Sequence, residues 1–204
     1  MLRFHLSRLF WLALWVTGTA HSAAPSASPT DSDIREILAN RIDRQKQSVG
    51  IVIGVIDANG RRIVSHGSLE KDDKRPLDGD TVFEIGSITK VFTALLLTEM
   101  AQKGEVRLDD PIAKYLPATV KVPERGGRQI SLVDLATHTS GLPRMPANFR
   151  PKDPANPYAD YTDEQLYSFL SSYDLIRDVG LKFEYSNLGF GLLGQGLAQR
   201  AGTG

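Results

Sequence analysis

Ser87-Ile-Thr-Lys90 sets a hydroxyl and an amine three residues apart. On a helix those positions share a face, so the lysine can take the serine's proton and leave a nucleophile. The same face continues as Ala94 and Leu97, which would partly desolvate the lysine and lower its pKa. The first helical turn also disfavours a cation through the macrodipole, and its backbone N–H groups are available to a developing oxyanion. A capping serine followed by a surface lysine gives the same spacing. Such a cap, however, favours Glu or Gln at the third helical position, and this helix is too apolar all round to be solvated. Tyr185-Ser186-Asn187 is the second group. A tyrosine serves as a general base only if nearby cations bring its pKa well below about 10. Lys90 is one candidate cation. Asn187 offers a donor and an acceptor to a substrate amide. On their own, these residues also fit a turn tyrosine and a helix-capping asparagine.

The elements that must hold these groups are legible from periodicity. Ile34, Ile37, Leu38 and Ile42 recur at helical spacing, which predicts an amphipathic helix from Asp33 to about Gln47. The unbroken apolar run Val49–Ile56 reads as a central strand covered on both faces. Asn59-Gly60 signals a hairpin, Arg61–His66 the returning strand, and Lys71–Asp80 a charged loop. A long apolar helix runs from Ser87 to Lys103 and is ended by Gly104. Asp110-Pro111 opens a short helix. Ser131 with Asp134, and Thr162 with Gln165, read as capping boxes; the second precedes Leu166, Phe169, Leu170 and Tyr173 on one face. Five prolines between Leu142 and Tyr158 forbid helix or central strand there. A loop that long inside a domain is often part of a binding site. A glycine-rich helix covers Asn187–Ala201.

Arg3 and Arg8, eight apolar residues from Leu9 to Val16, and small residues to Ala23 form the order of a secretory signal peptide. The apolar run falls short of the roughly 20 residues of a membrane span, so no stable span is expected after cleavage. Cleavage after Ser22 leaves 22 basic residues against 24 acidic ones and a periplasmic or secreted protein, with residues 23–31 as a flexible lead-in. The 204-residue chain has no net charge, which argues against nucleic-acid partners. It has no cysteine, so disulfides, thiolate metal sites and cysteine nucleophiles are excluded. After cleavage only His66 and His138 remain, too few for a histidine-built metal site; no cofactor is expected. Either histidine could in principle join a Ser-His-Asp triad, but surface or capping roles are the commoner fate. Gly189-Phe-Gly-Leu-Leu-Gly194 spells the dinucleotide fingerprint. It lacks the preceding strand and following acid that the fingerprint requires, so close helix packing is the better account of those glycines.

Four segments occur in order: Phe83–Lys90; Gly104–Pro111 with Tyr115-Leu-Pro117; Leu135–Pro143; and Phe183–Phe190. Together they resemble the β-lactamase-related serine hydrolases, which include class C β-lactamases, penicillin-binding D-alanyl-D-alanine peptidases and related esterases. The resemblance runs from about Ile34 to the end. It implies an α+β fold, the N-terminal part of the β-lactamase/transpeptidase-like domain. Residues 33–86 would supply a helix and β-hairpin, and 87–204 the nucleophile helix and helical part. It also implies Ser87 as the acylated nucleophile, Lys90 as its proton partner, Tyr185 as the second acid/base and Asn187 as the substrate-amide ligand. The partners implied are small β-lactam, peptide or ester substrates. The family's third motif, Lys or His followed by Thr or Ser and then Gly, is absent. His138-Thr-Ser-Gly141 is one residue too long, and Gly202-Thr-Gly204 lacks the cation. The expectation is an incomplete domain, with two readings open: an acyl-serine hydrolase, or a non-catalytic penicillin-binding remnant.

Overall fold

The computed structural model describes residues 28–73 and 75–203. The expected signal peptide lies outside them. They divide into two compact units, one ending at Phe83 and one beginning at Glu84.

The first unit opens with α1 (Asp31–Ala39). Its cap is Thr30, whose hydroxyl accepts from the Asp33 amide at 3.2 Å while the Asp33 carboxylate accepts from the Thr30 amide at 2.9 Å. Asp33 is therefore the third residue of the capping box rather than the helix start. After Ala39 the turns widen into a π-helix, Asn40–Arg44, which keeps Ile42 buried. Strands β1 (Gly50–Asp57) and β2 (Gly60–Gly67) pair antiparallel with Ile53 opposite Val64. Gly60 closes the turn at φ 107°, a conformation glycine adopts without steric cost. At the other end Gly50 faces Gly67, and a Cβ on Gly50 would lie 2.2 Å from the Ser68 carbonyl oxygen. The expectation for Val49–Ile56 needs correction. Among the described residues β1 has one neighbouring strand. Ile51, Ile53 and Val55 pack toward Ile34, Leu38 and Val64, but Ile56 on the opposite face is 82% exposed.

The second unit is helical. A 3₁₀ turn, Gly86–Ile88, leads into α2 (Thr89–Gln102). α2 buries Leu97 and Met100 and leaves Val91, Phe92, Leu95 and Leu96 exposed. Asp110-Pro111 introduces a 3₁₀ turn, Ile112–Tyr115, in place of an α-helix. Both expected capping boxes form, at the heads of α3 (Leu132–Ala136) and α4 (Asp163–Ser172). No helix or strand interrupts residues 142–158. α5 (Asn187–Ala201) threads the core with Leu188, Leu192, Leu193 and Leu197 and ends at Gly202, φ 71°. Its glycines differ in purpose. A Cβ on Gly196 would lie 2.4 Å from Ile112 Cδ1, and one on Gly189 would crowd the Ser186 hydroxyl. Gly191 and Gly194, expected to be packing positions, face open space. Among the described residues no helix is long and apolar enough to cross a membrane.

Within the second unit, Asp110 locks the turn between Arg107 and Tyr115. Its buried carboxylate accepts from the Tyr115 hydroxyl, from the Arg107 amide at 2.8 Å and from Lys114 Nζ at 3.0 Å. These bonds, the tyrosine's first, hold its pKa down to about 2. An unfolded aspartate titrates near 3.9. The stabilisation is therefore present above about pH 4 and is lost as pH falls toward 2. Asp110→Asn should lower stability at pH 7 by about 1–3 kcal/mol and flatten the decline between pH 4 and 2. Urea melts across that window test this, and an unchanged acid slope would contradict the assignment.

Candidate active site

The head of α2 presents Ser87 on the 3₁₀ turn and Lys90 in the first α-helical turn. The expected i, i+3 pairing forms, with Lys90 Nζ donating to Ser87 Oγ at 3.3 Å. Tyr185 and Asn187 arrive from nearly a hundred residues away. The Tyr185 hydroxyl stands 2.5 Å from Ser87 Oγ, and Lys90 Nζ donates to Asn187 Oδ1 at 2.8 Å. Lys90 Nζ also lies 4.9 Å from the centre of the Tyr185 ring. The four residues singled out by type and spacing thus form one hydrogen-bonded cluster. Lys90, whose Nζ lies beside Tyr185, holds the tyrosine's pKa below its usual value, with help from the Ser87 hydrogen bond and the Arg144 charge.

Ser186 decides how Tyr185 and Asn187 are presented. Its buried hydroxyl caps α5, accepting from the Gly189 amide at 2.8 Å and donating to the Pro143 carbonyl at 2.7 Å. Asn187, a possible capping residue by type, is relieved of that work and turns its amide to Lys90. The Arg144 carbonyl takes the Asn187 and Leu188 amides at 3.1 and 3.2 Å. These first-turn donors have no partners within the helix.

His138 corrects the expectation of a surface or capping histidine. It adopts φ 60°, which is uncommon for a residue with a side chain. Its Nδ1 accepts from the Ser186 amide at 3.0 Å, and its carbonyl accepts from the Glu184 amide at 2.8 Å. Its ring packs against Tyr185, Phe190 and Phe183 at 4.6, 4.9 and 5.5 Å. Burial, aided by the Lys90 charge, pushes its pKa down, so the ring is a neutral brace for the Tyr185–Asn187 segment. With Nδ1 committed to backbone, it has no place for the carboxylate of a Ser-His-Asp triad. His66 is paired with Asp43 at 2.8 Å in the first unit. Ser186, His138 and Arg144 carry positioning roles that motif reading misses. The Thr137–Pro143 run was a visible signal, but its backbone turn was not.

Among the described residues no group of three or more His, Asp or Glu could hold a metal. Gly189–Gly194 lies within α5 and two residues past its start, so it is no phosphate-binding loop after a strand.

The beta-lactamase family model matches residues 31–204. Over 185 residues the chain is 36% identical to the D-alanyl-D-alanine-carboxypeptidase/endopeptidase AmpH of Escherichia coli, covering 90% of this chain and 48% of that protein. It is 32% identical to a beta-lactamase of Pseudomonas fluorescens, covering 84% and 45%. Among solved structures, a beta-lactamase/D-alanine carboxypeptidase from Yersinia pestis superposes with a TM-score of 0.73 at 32% identity, covering 85% of this chain and 49% of that one. A D-stereospecific amidohydrolase from Streptomyces gives 0.65 at 28% identity, covering 85% and 50%. The chain spans about half the length of these relatives. Its hairpin and helices correspond to the N-terminal part of their fold. With the likeness running through the cluster at Ser87 and on through α5, this chain belongs to the beta-lactamase family.

Proposed function

We propose that this chain carries the acyl-transfer machinery of a secreted or periplasmic serine hydrolase acting on β-lactams or related amides and esters. The observation that carries the reading is the contact of Ser87 with both Tyr185 and Lys90. A hydroxyl 2.5 Å from a tyrosine of lowered pKa has its proton acceptor in place. In this reading Tyr185 receives the Ser87 proton as Oγ attacks the substrate carbonyl, and Lys90 is the cation that makes Tyr185 a competent base. The Ser87 amide, at the head of the helical run, faces the developing oxyanion. Collapse of the tetrahedral intermediate breaks the C–N or C–O bond, and Tyr185 returns its proton to the leaving atom. Water then attacks the acyl-serine with the same residue as base. Asn187 holds the substrate's side-chain amide. The relatives carry both beta-lactamase and D-alanyl-D-alanine carboxypeptidase names, which favours a carboxypeptidase as the second reading. The N-terminal apolar segment supports export.

Incubation of the chain with benzylpenicillin should add one penicilloyl group by intact mass, and Ser87→Ala should abolish it. Labelling that survives the change sinks the nucleophile assignment. Turnover of a chromogenic cephalosporin separates a hydrolase from a protein that only acylates.

The lowered pKa of Tyr185 sets the pH dependence. Acylation should rise with pH and level off below the free-tyrosine range near 10. Arg144→Gln removes a cation whose guanidinium carbon lies 5.0 Å from the ring. It should move the rising limb to higher pH by a few tenths of a unit. A limb that stays in place would exclude Tyr185 as the titrating base.

A further inference from the structure

Only half of the Asn187 amide is engaged by the catalytic cluster. Its Oδ1 accepts from Lys90 Nζ at 2.8 Å, and an ammonium can only donate, so Nδ2 is the half turned elsewhere. Nδ2 meets Met145 Sδ at 3.8 Å. A thioether is a weak acceptor, so this bond is readily exchanged for a substrate carbonyl. The contact is held from behind. The Arg144 carbonyl takes the Asn187 amide at 3.1 Å, which fixes residue 145 against the first turn of α5. The chain has no cysteine, and the thioethers of the second unit are Met100 and Met145. Met100 is 4% exposed in the core, whereas Met145 is half-buried. Met145 also lines a cavity of about 190 Å³, far above the roughly 10–15 Å³ that admits one water. Hydrogen peroxide is little larger than water.

Oxidation would change the character of that contact. A sulfur lone pair bonds one oxygen of hydrogen peroxide and the O–O bond breaks. The other oxygen leaves as hydroxide and takes the remaining proton to become water. The sulfur is oxidised to a sulfoxide and the peroxide is reduced. A flexible apolar side chain becomes a polar one, with an acceptor oxygen in place of a weakly accepting sulfur. The Asn187 Nδ2 group then has a firm partner, which a substrate carbonyl must displace.

We propose that Met145 is a peroxide-modification site whose sulfoxide holds the Asn187 amide away from substrate, so that oxidation slows acyl transfer and reduction restores it. The proposal rests on the acyl-transfer reading, with Asn187 as the substrate-amide ligand, and its test keeps the two apart. Met145→Leu supplies the variant, because it conserves volume while removing the sulfur.

The experiment treats the full chain with hydrogen peroxide, reads each methionine by peptide mass and follows benzylpenicillin acylation by intact mass. Met145 should gain one oxygen roughly tenfold faster than Met100 or more, since susceptibility follows exposure. Acylation should then slow by roughly three- to tenfold, the loss of one ordinary hydrogen bond. Methionine sulfoxide reductase should restore it. In Met145→Leu the rates before and after peroxide should be equal. Equal oxidation of the two methionines, an unchanged rate in the oxidised parent chain, or the same slowing in Met145→Leu overturns the proposal. If the untreated parent chain takes no label, the acyl-transfer reading fails, and the side-chain amide protons of Asn187 decide by NMR. A downfield shift on oxidation that is absent in Met145→Leu supports the modification site, and unchanged resonances overturn it.

Discussion

Everything at the candidate site depends on the way the backbone turns into α5, and Ser186 fixes that turn. Its hydroxyl both donates and accepts, joining the Pro143 carbonyl to the Gly189 amide, while its own amide is held by His138. One buried serine thereby ties the 138–144 strap to the helix. Tyr185 and Asn187, on either side of it, are aimed by backbone geometry rather than by their own side chains. A buried group that lost one of these partners would carry an unmet hydrogen bond, at a cost of about 1–3 kcal/mol. That penalty explains why the turn adopts a single arrangement.

The same strap governs the electrostatics. Lys90 beside Tyr185 lowers the tyrosine's pKa, and the neighbouring imidazole stays neutral. Packing against Phe183, Phe190 and Tyr185 keeps His138 in that state. Exposed charges elsewhere contribute little by comparison. The Lys103–Glu99 pair on α2, for example, is open to water, where solvent screens it.

Much of this was legible in the sequence because it is local. Ser87 and Lys90 meet through helix geometry alone, and the capping boxes at Ser131 and Thr162 are written in four residues each. The box at Thr30 was equally local, but periodicity from Ile34 onward placed the helix start two residues late. The misreading of Val49–Ile56 has another origin. An unbroken apolar run states what a strand can bury, and its neighbours decide what it does bury. His138 was hidden for a third reason. Its role arises from a left-handed backbone and a bond to a residue 48 positions away, neither of which leaves a pattern in residue types. Gly191 and Gly189 looked alike as letters, and only the surroundings separate open space from close contact.

α5 is also a ruler. Asn187 and Gly191 stand four residues apart on one helix, roughly 6 Å along its axis. That interval is set by the hydrogen-bonded backbone and does not stretch as a loop would. Asn187, which meets Lys90, and Gly191, which faces open space, are thus held in fixed register, and a side chain added at the second mark would leave the first where it stands.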